Sequence, residues 1–169
     1  MNQSNSAHSA NSSNSGAPSS VVPPRLAAYF KDYHAFHTTQ GNQKCHYVGL
    51  TMIVISALGL LSHLVVGNPG DGIFFRWDGG TILMAVGCLW YLFLDWKLAL
   101  PFSLVLIGLY FLGRATPLSG LWTLQIVGWI FQFIGHFYYE KKSPAFLSNI
   151  VHVLIGPLWI FAKMIGYAK

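Results

Sequence analysis

The chain has 169 residues, of which 53% are hydrophobic and 9% charged, and its formal net charge is +5. A soluble domain carries about 25% charged residues, so this composition excludes that class; with the apolar residues gathered in long blocks, it identifies an integral membrane protein. The positive charge is scattered among the connections, which excludes the basic stripe that nucleic-acid binding needs and suits anionic lipid headgroups or a carboxylate substrate instead.

Residues 1–24 are rich in Ser, Asn, Ala and Gly and end in Val21-Val22-Pro23-Pro24, so they are read as a disordered tail. The tail lacks a basic stretch followed by an apolar one and is not read as a secretory signal. Its His8 carries no functional weight. Residues 25–169 are read as one membrane-embedded catalytic domain.

From Arg25 to Phe36, apolar residues recur at steps of three and four (Leu26, Tyr29, Phe30, Tyr33), which predicts a short amphipathic helix at the membrane surface. The run Thr38-Thr39-Gln40-Gly41-Asn42 is expected to break it, with the turn at Gly41-Asn42. Four to five apolar segments follow, over residues 47–66, 80–94, 98–112, 121–139 and 146–165, giving an all-α, polytopic helical bundle. A glycine-rich loop from Gly67 to Gly72 separates the first two, and Asp95-Trp96-Lys97 joins the second tightly to the third. The last segment contains Gly156-Pro157 and can kink, re-enter or lie in the interface.

If the segments cross alternately, one side receives Arg25, Lys31, Lys44, Lys97, Lys141 and Lys142, and the other Arg76, Arg114, Lys163 and Lys169. That bias favours a cytoplasmic N-terminus. It also collects His37, His46, Asp95, His136 and Glu140 on one side of the membrane.

Those residues carry the chemistry. Gln132, His136 and Glu140 stand at i, i+4 and i+8, on one face of a helix that has no reason of its own to carry them in lipid. His37 and His46 are nine residues apart, opposed on a continuous helix but able to meet across a turn. Neutral imidazole suits iron, zinc or copper, so His37, His46 and His136 can form a three-nitrogen metal site. Asp95 or Glu140 is then a carboxylate ligand or an orienting partner, while Asn42 and Gln132 hold ring tautomers or bind substrate. Glu140, Asn42 and Gln132 are accordingly the expected catalytic residues. Asp95 alternatively caps a helix. His34 reads as a surface residue, His63 as an interfacial anchor on the opposite side, and His152 can approach the site from the last segment. Lys44, Lys141 and Lys142 can attract a carboxylate headgroup. Cys45 and Cys88 form no C-x-x-C pair, so no zinc ribbon or redox motif is present.

Two blocks resemble a known family. Tyr33-x-x-Phe36-His37-x4-Asn42-x3-His46-x-x-Gly49 and Trp129-x-x-Gln132-Phe133-x-Gly135-His136-x3-Glu140-x3-Pro144-Ala145 are similar to those of the membrane 2-hydroxy fatty acid dioxygenases, which act in fatty acid α-oxidation, as in yeast phytosphingosine breakdown. The resemblance spans roughly residues 29–160. It implies Fe(II)-dependent conversion of a 2-hydroxy fatty acid and O2 to CO2 and an acid one carbon shorter, with His37, His46 and His136 binding the iron. It also implies the endoplasmic reticulum in a eukaryote or the inner membrane in a bacterium, while the charge bias of the connections places the site on the cytoplasmic side. The chain departs from the family at Leu50-Thr51 and at Ala162-Lys163. The competing expectation is a non-enzymatic helical membrane protein, a transporter or scaffold with interfacial histidines, although no internal repeat supports a transporter. A fatty-acyl hydroxylase would need more histidines in H-x-x-H-H groupings than this chain has.

Overall fold

The computed structural model describes residues 22–66, 77–147 and 149–167. The expected tail up to residue 21, including His8, lies outside the described residues, as do loop residues 67–76 with Arg76, and Lys169. The chain order is α1 (Pro24–Ala35), α2 (Gln40–Leu61), α3 (Gly79–Leu94), α4 (Trp96–Ala115) and α5 (Leu118–Phe133). Helix α5 continues as a π-helix, Ile134–Glu140, followed by a 3-10 turn, Ala145–Leu147, and α6 (Val151–Met164). No strand occurs among the described residues, so the expected all-α architecture stands.

Three helices are long and apolar enough to cross a membrane: α2, α4 and the continuous run from Leu118 to Glu140. Helices α3 and α6 are shorter, and both are apolar. Side-chain caps set the starts. Asp78 forms a capping box with Thr81, and Asp95 caps α4 through the Lys97 amide at 3.0 Å. The expected turn at Gly41-Asn42 is not where the chain bends. Thr39 caps α2 and accepts the Asn42 amide, so both residues lie in the first helical turn and the corner falls at residues 36–39. Gly41 is tolerated there because the Tyr139 ring occupies the space of its missing side chain.

Helix α2 is the centre of the bundle, packing on α5 and on α4. Two glycine contacts allow that approach. A Cβ on Gly49 would stand 2.7 Å from the Gly128 carbonyl oxygen, and one on Gly113 would stand 2.6 Å from that of Ile55. In lipid, where apolar burial no longer drives helices together, such close backbone packing holds them.

Helix α6 corrects the alternating-span expectation. At one end, His152 bonds Asp32 of α1; at the other, Lys163 donates to Gln43 at the start of α2, at 3.1 Å. Just beyond it, the Tyr167 hydroxyl donates to Asp95 at 2.6 Å. All three partners sit at the same end of the bundle, so α6 lies across that end. Its 14 residues, at about 1.5 Å each, are also short of a roughly 30 Å hydrocarbon core. Lys163 therefore joins the positive charges on the histidine side, which strengthens the bias computed from alternating spans.

The glycine contacts predict that Gly49→Val or Gly113→Leu destabilises the folded protein by about 1–3 kcal/mol or more, because backbone is what must move. Gly108, which has nothing within 4 Å of its would-be Cβ, should accept alanine without loss. Thermal unfolding in detergent checks both; equal melting of all three variants would contradict the packing.

Candidate metal centre

Three buried histidines meet where α1, α2 and the π-helix converge. His37 sits in the corner after α1, His46 in the second turn of α2, and His136 in the π-helix. Their ligand nitrogens all lie within 4.8 Å of one another. The residues are 1%, 4% and 1% exposed. Ring centroids are 4.3 Å apart for His37–His46, 5.0 Å for His37–His136 and 4.9 Å for His46–His136.

Tyr33 sets two of the rings. His37 Nδ1 donates to the Tyr33 carbonyl at 2.7 Å, which fixes the tautomer and leaves the lone pair on Nε2. The Tyr33 and His37 rings stack, 4.0 Å between centroids. The Tyr33 hydroxyl lies 3.3 Å from His46 Nδ1; the tautomer that donates Nδ1–H to it leaves His46 Nε2 free. Burial holds His37 down at about 4, against the opposing pull of the Tyr33 carbonyl, so it is neutral near pH 7 and able to ligate. Burial, with Tyr47 nearby, pushes the Tyr33 phenol well up, so it stays protonated.

The donor set fits a metal ion. His46 Nε2 and His136 Nε2 are 3.2 Å apart. Two nitrogens each about 2.1 Å from one ion, at roughly 90–110°, would be about 3.0–3.4 Å apart. His37 Nε2 and His136 Nδ1 are buried with no hydrogen-bond partner, as are Gln132 Nε2, Asn42 Oδ1 and His152 Nδ1. An unsatisfied buried polar group costs about 1–3 kcal/mol, so the unpartnered nitrogens on the cavity wall, His37 Nε2 and Gln132 Nε2, are ones a bound group could satisfy.

Glu140 is placed beside this cluster but turned away from it. One carboxylate oxygen accepts from the Thr38 amide at 3.0 Å and hydroxyl at 2.5 Å; the other accepts from the Thr39 amide at 3.1 Å, its hydroxyl at 2.9 Å and Asn42 Nδ2 at 3.1 Å. It thereby ties the end of α5 to the α1–α2 corner. Asn42 Nδ2 also donates to the Phe36 carbonyl, at 3.0 Å. The π-helix makes this possible. Its wider turn directs both His136 and Glu140 inward, and Gly135 lets the backbone approach Asn42, whose Oδ1 would be 2.5 Å from any Cβ there. Lys141 closes the helix in the left-handed region, at φ 53°.

Asp95 is not in the cluster. It caps α4 and accepts from Tyr167, so of its two sequence-based roles the cap is the one the fold uses. Gln132 does reach the site, folded over Gly49. With the three histidines it lines a cavity of about 40 Å³ whose other walls are Tyr33 and His152 on the polar side, and Leu50, Ile53, Trp129, Phe146 and Val153 on the apolar side. His34 and His63 are exposed. Lys44, Lys141 and Lys142 are also exposed.

Sequence reasoning gave no role to Tyr33, Thr38, Thr39 or Asp32. Asp32 binds His152 Nε2 at 2.8 Å and so orients that ring toward the cavity wall. The i, i+4 spacing of Tyr33 and His37 was the available signal for the first; the others depend on long-range contacts that spacing does not show.

The Glu140 contacts predict that Glu140→Gln weakens metal binding about 10–100-fold, as loss of an orienting partner does. Glu140→Ala should also lower the melting temperature. Co(II) titration followed by visible absorption checks the first. Unchanged affinity in both variants would show that Glu140 does not position the histidines.

Two comparisons with known proteins bear on this arrangement. Residues 24–168 match the family described as 2-hydroxy-palmitic acid dioxygenase Mpo1-like. The chain is also similar to the 2-hydroxy-palmitic acid dioxygenase MPO1 of Saccharomyces cerevisiae, at 43% identity over 47 residues, which is 27% of this chain and 25% of that protein. No solved structure matches.

Proposed function

The chain belongs to the Mpo1-like 2-hydroxy-palmitic acid dioxygenase family, and we propose that it is an Fe(II)-dependent membrane enzyme that converts 2-hydroxy fatty acids to acids one carbon shorter. The observation that carries the reading is the buried three-imidazole cluster, with its unpartnered nitrogens, opening onto an apolar wall. His37, His46 and His136 would hold the iron through Nε2. Bound there, iron would supply the one-electron chemistry that O2 requires, and the three histidines would not fill its coordination sphere.

The overall change is R-CH(OH)-COOH + O2 → R-COOH + CO2 + H2O. The bond between Cα and the carboxyl carbon breaks, the substrate supplies all four electrons, and no external reductant is needed. The protein's own contribution is binding and orientation. Gln132 donates its free amide N–H to the carboxylate or hydroxyl at the cavity wall. Tyr33 holds the His37 and His46 tautomers. Glu140 and Asn42 are positioning residues that fix the corner carrying His37. Leu50, Ile53, Trp129 and Phe146 exclude water from the reacting carbon. Residues 25–169 act as one catalytic unit in the membrane, with the site on the cytoplasmic face, at the endoplasmic reticulum in a eukaryote or the inner membrane in a bacterium.

The test is product analysis on iron-loaded protein with 2-hydroxy, 3-hydroxy and unsubstituted acids of one chain length. Only the 2-hydroxy acid should give the shortened acid and CO2 without added reductant. Equal turnover of the unsubstituted acid, or dependence on an electron donor, would reject the reaction. Replacing His37, His46 or His136 with Ala should each remove bound iron and lower turnover by about 100-fold or more, while exposed His63→Ala changes neither. Gln132→Leu should raise KM about tenfold with iron retained, the effect of one lost hydrogen bond. Normal KM in that variant would remove Gln132 from the substrate site.

A further inference from the structure

A second cavity adjoins the histidine cavity at its apolar wall. Leu50, Ile53 and Val153 line both, and the second, of about 190 Å³, runs between α2, α3 and α6 past Ala57, Met84 and Gly87. No charged side chain lines this second cavity. Its one hydroxyl, on Tyr91, is spent on the Leu154 carbonyl at 2.7 Å.

We propose that this second cavity holds the alkyl chain of the substrate acid, carboxyl end at the imidazoles, and that its far end, beside Leu58 and Leu83, limits the chain length accepted. The proposal rests on the dioxygenase reading. An acid with a long tail needs a polar pole and an apolar pole in continuity, and three shared side chains supply that continuity here. A third cavity, of about 260 Å³, shares only Leu50 with the histidine cavity and adjoins the second through Leu50, Val54, Leu106 and Pro157, so a tail leaving the imidazoles meets the second cavity first.

The dimensions agree. From His46 to Leu58, the deepest α2 residue on the cavity wall, α2 rises about 18 Å, against the roughly 15 Å that one leaflet's acyl chains span. Entry is from the side. Leu83 and Leu154 on the cavity wall are each 39% exposed, so a tail can slide in without leaving apolar surroundings. Ala57, next to Leu58 on that wall, carries the smallest side chain there besides Gly87, so the far end can be filled by enlarging it.

The experiment has two arms. In the first, iron-loaded wild type and Ala57→Leu are compared on 2-hydroxy acids from octanoic to stearic. The variant should raise KM about tenfold for the longest acids and leave the shortest unchanged, because only long tails reach the filled space. In the second, a 2-hydroxy acid with a photoreactive group at its terminal carbon is irradiated with the wild-type protein, and the labelled peptide is identified by mass spectrometry. Label on the α3 stretch from Leu83 to Tyr91 supports the proposal. Label confined to Val105, Leu109, Phe161 or Met164, or spread over the lipid-facing surface, overturns it, as does an unchanged length profile in the variant. A protein inactive on every acid contradicts the dioxygenase reading instead, while the label still decides where the tail lies.

Discussion

The carboxylate of Glu140 is where two parts of the chain a hundred residues apart are locked together. Without it, the corner between α1 and α2 would lose the one side chain that accepts from both threonine amides, both hydroxyls and the Asn42 amide together. With it, those donors converge on one group, and the corner is pinned against the end of α5. His37 stands one residue before this clamp, His46 four residues after its Asn42 member, and His136 one helical turn before Glu140. The meeting of the imidazoles depends on that clamp more than on any contact the imidazoles make themselves.

The same end of the bundle concentrates polar burial. His37, Asn42, His46, Gln132, His136, Glu140 and His152 are all buried there, although neutral histidine and amide groups are expensive to desolvate. Glu140 is satisfied within the protein; the free imidazole and amide atoms are not. The carboxylate is thus satisfied by the protein itself, while His37 Nε2 and Gln132 Nε2, on the wall of the histidine cavity, have no protein partner. Helix α6, lying across this end, roofs the site with His152 and Trp159 and forms part of the apolar side.

Much of this was legible in the residues. Long apolar blocks gave the membrane class and the helices, and the i, i+4, i+8 spacing put Gln132, His136 and Glu140 on one inward side. That His37, His46 and His136 could meet was read from a turn between the first two and a shared side of the membrane, and the three do lie together although the turn falls elsewhere. The rest was hidden for physical reasons. The corner moved from Gly41-Asn42 to residues 36–39 because Thr39 capped the helix and the Tyr139 ring packed over Gly41, a contact from far along the chain. The π-helix has no sequence signature in a run of aromatic residues, yet it turns Glu140 toward the threonines. Helix α6 is apolar enough to resemble a span, and only the Lys163–Gln43 and Tyr167–Asp95 contacts reveal that it stays at one end. Asp95 carried two possible roles because its partner, Tyr167, lies 72 residues away.

The central claim is that three imidazole nitrogens, and no carboxylate or thiolate of the protein, hold the iron. X-ray absorption spectroscopy on anaerobic Fe(II)-loaded protein tests it directly, since outer-shell scattering identifies imidazole rings and sulfur stands apart from nitrogen and oxygen. The account predicts three imidazoles per iron, no sulfur, and loss of one imidazole signal in whichever of the His37, His46 and His136 variants still retains metal. A spectrum with fewer than three imidazoles in the unaltered protein, or with a thiolate from Cys45, would contradict it.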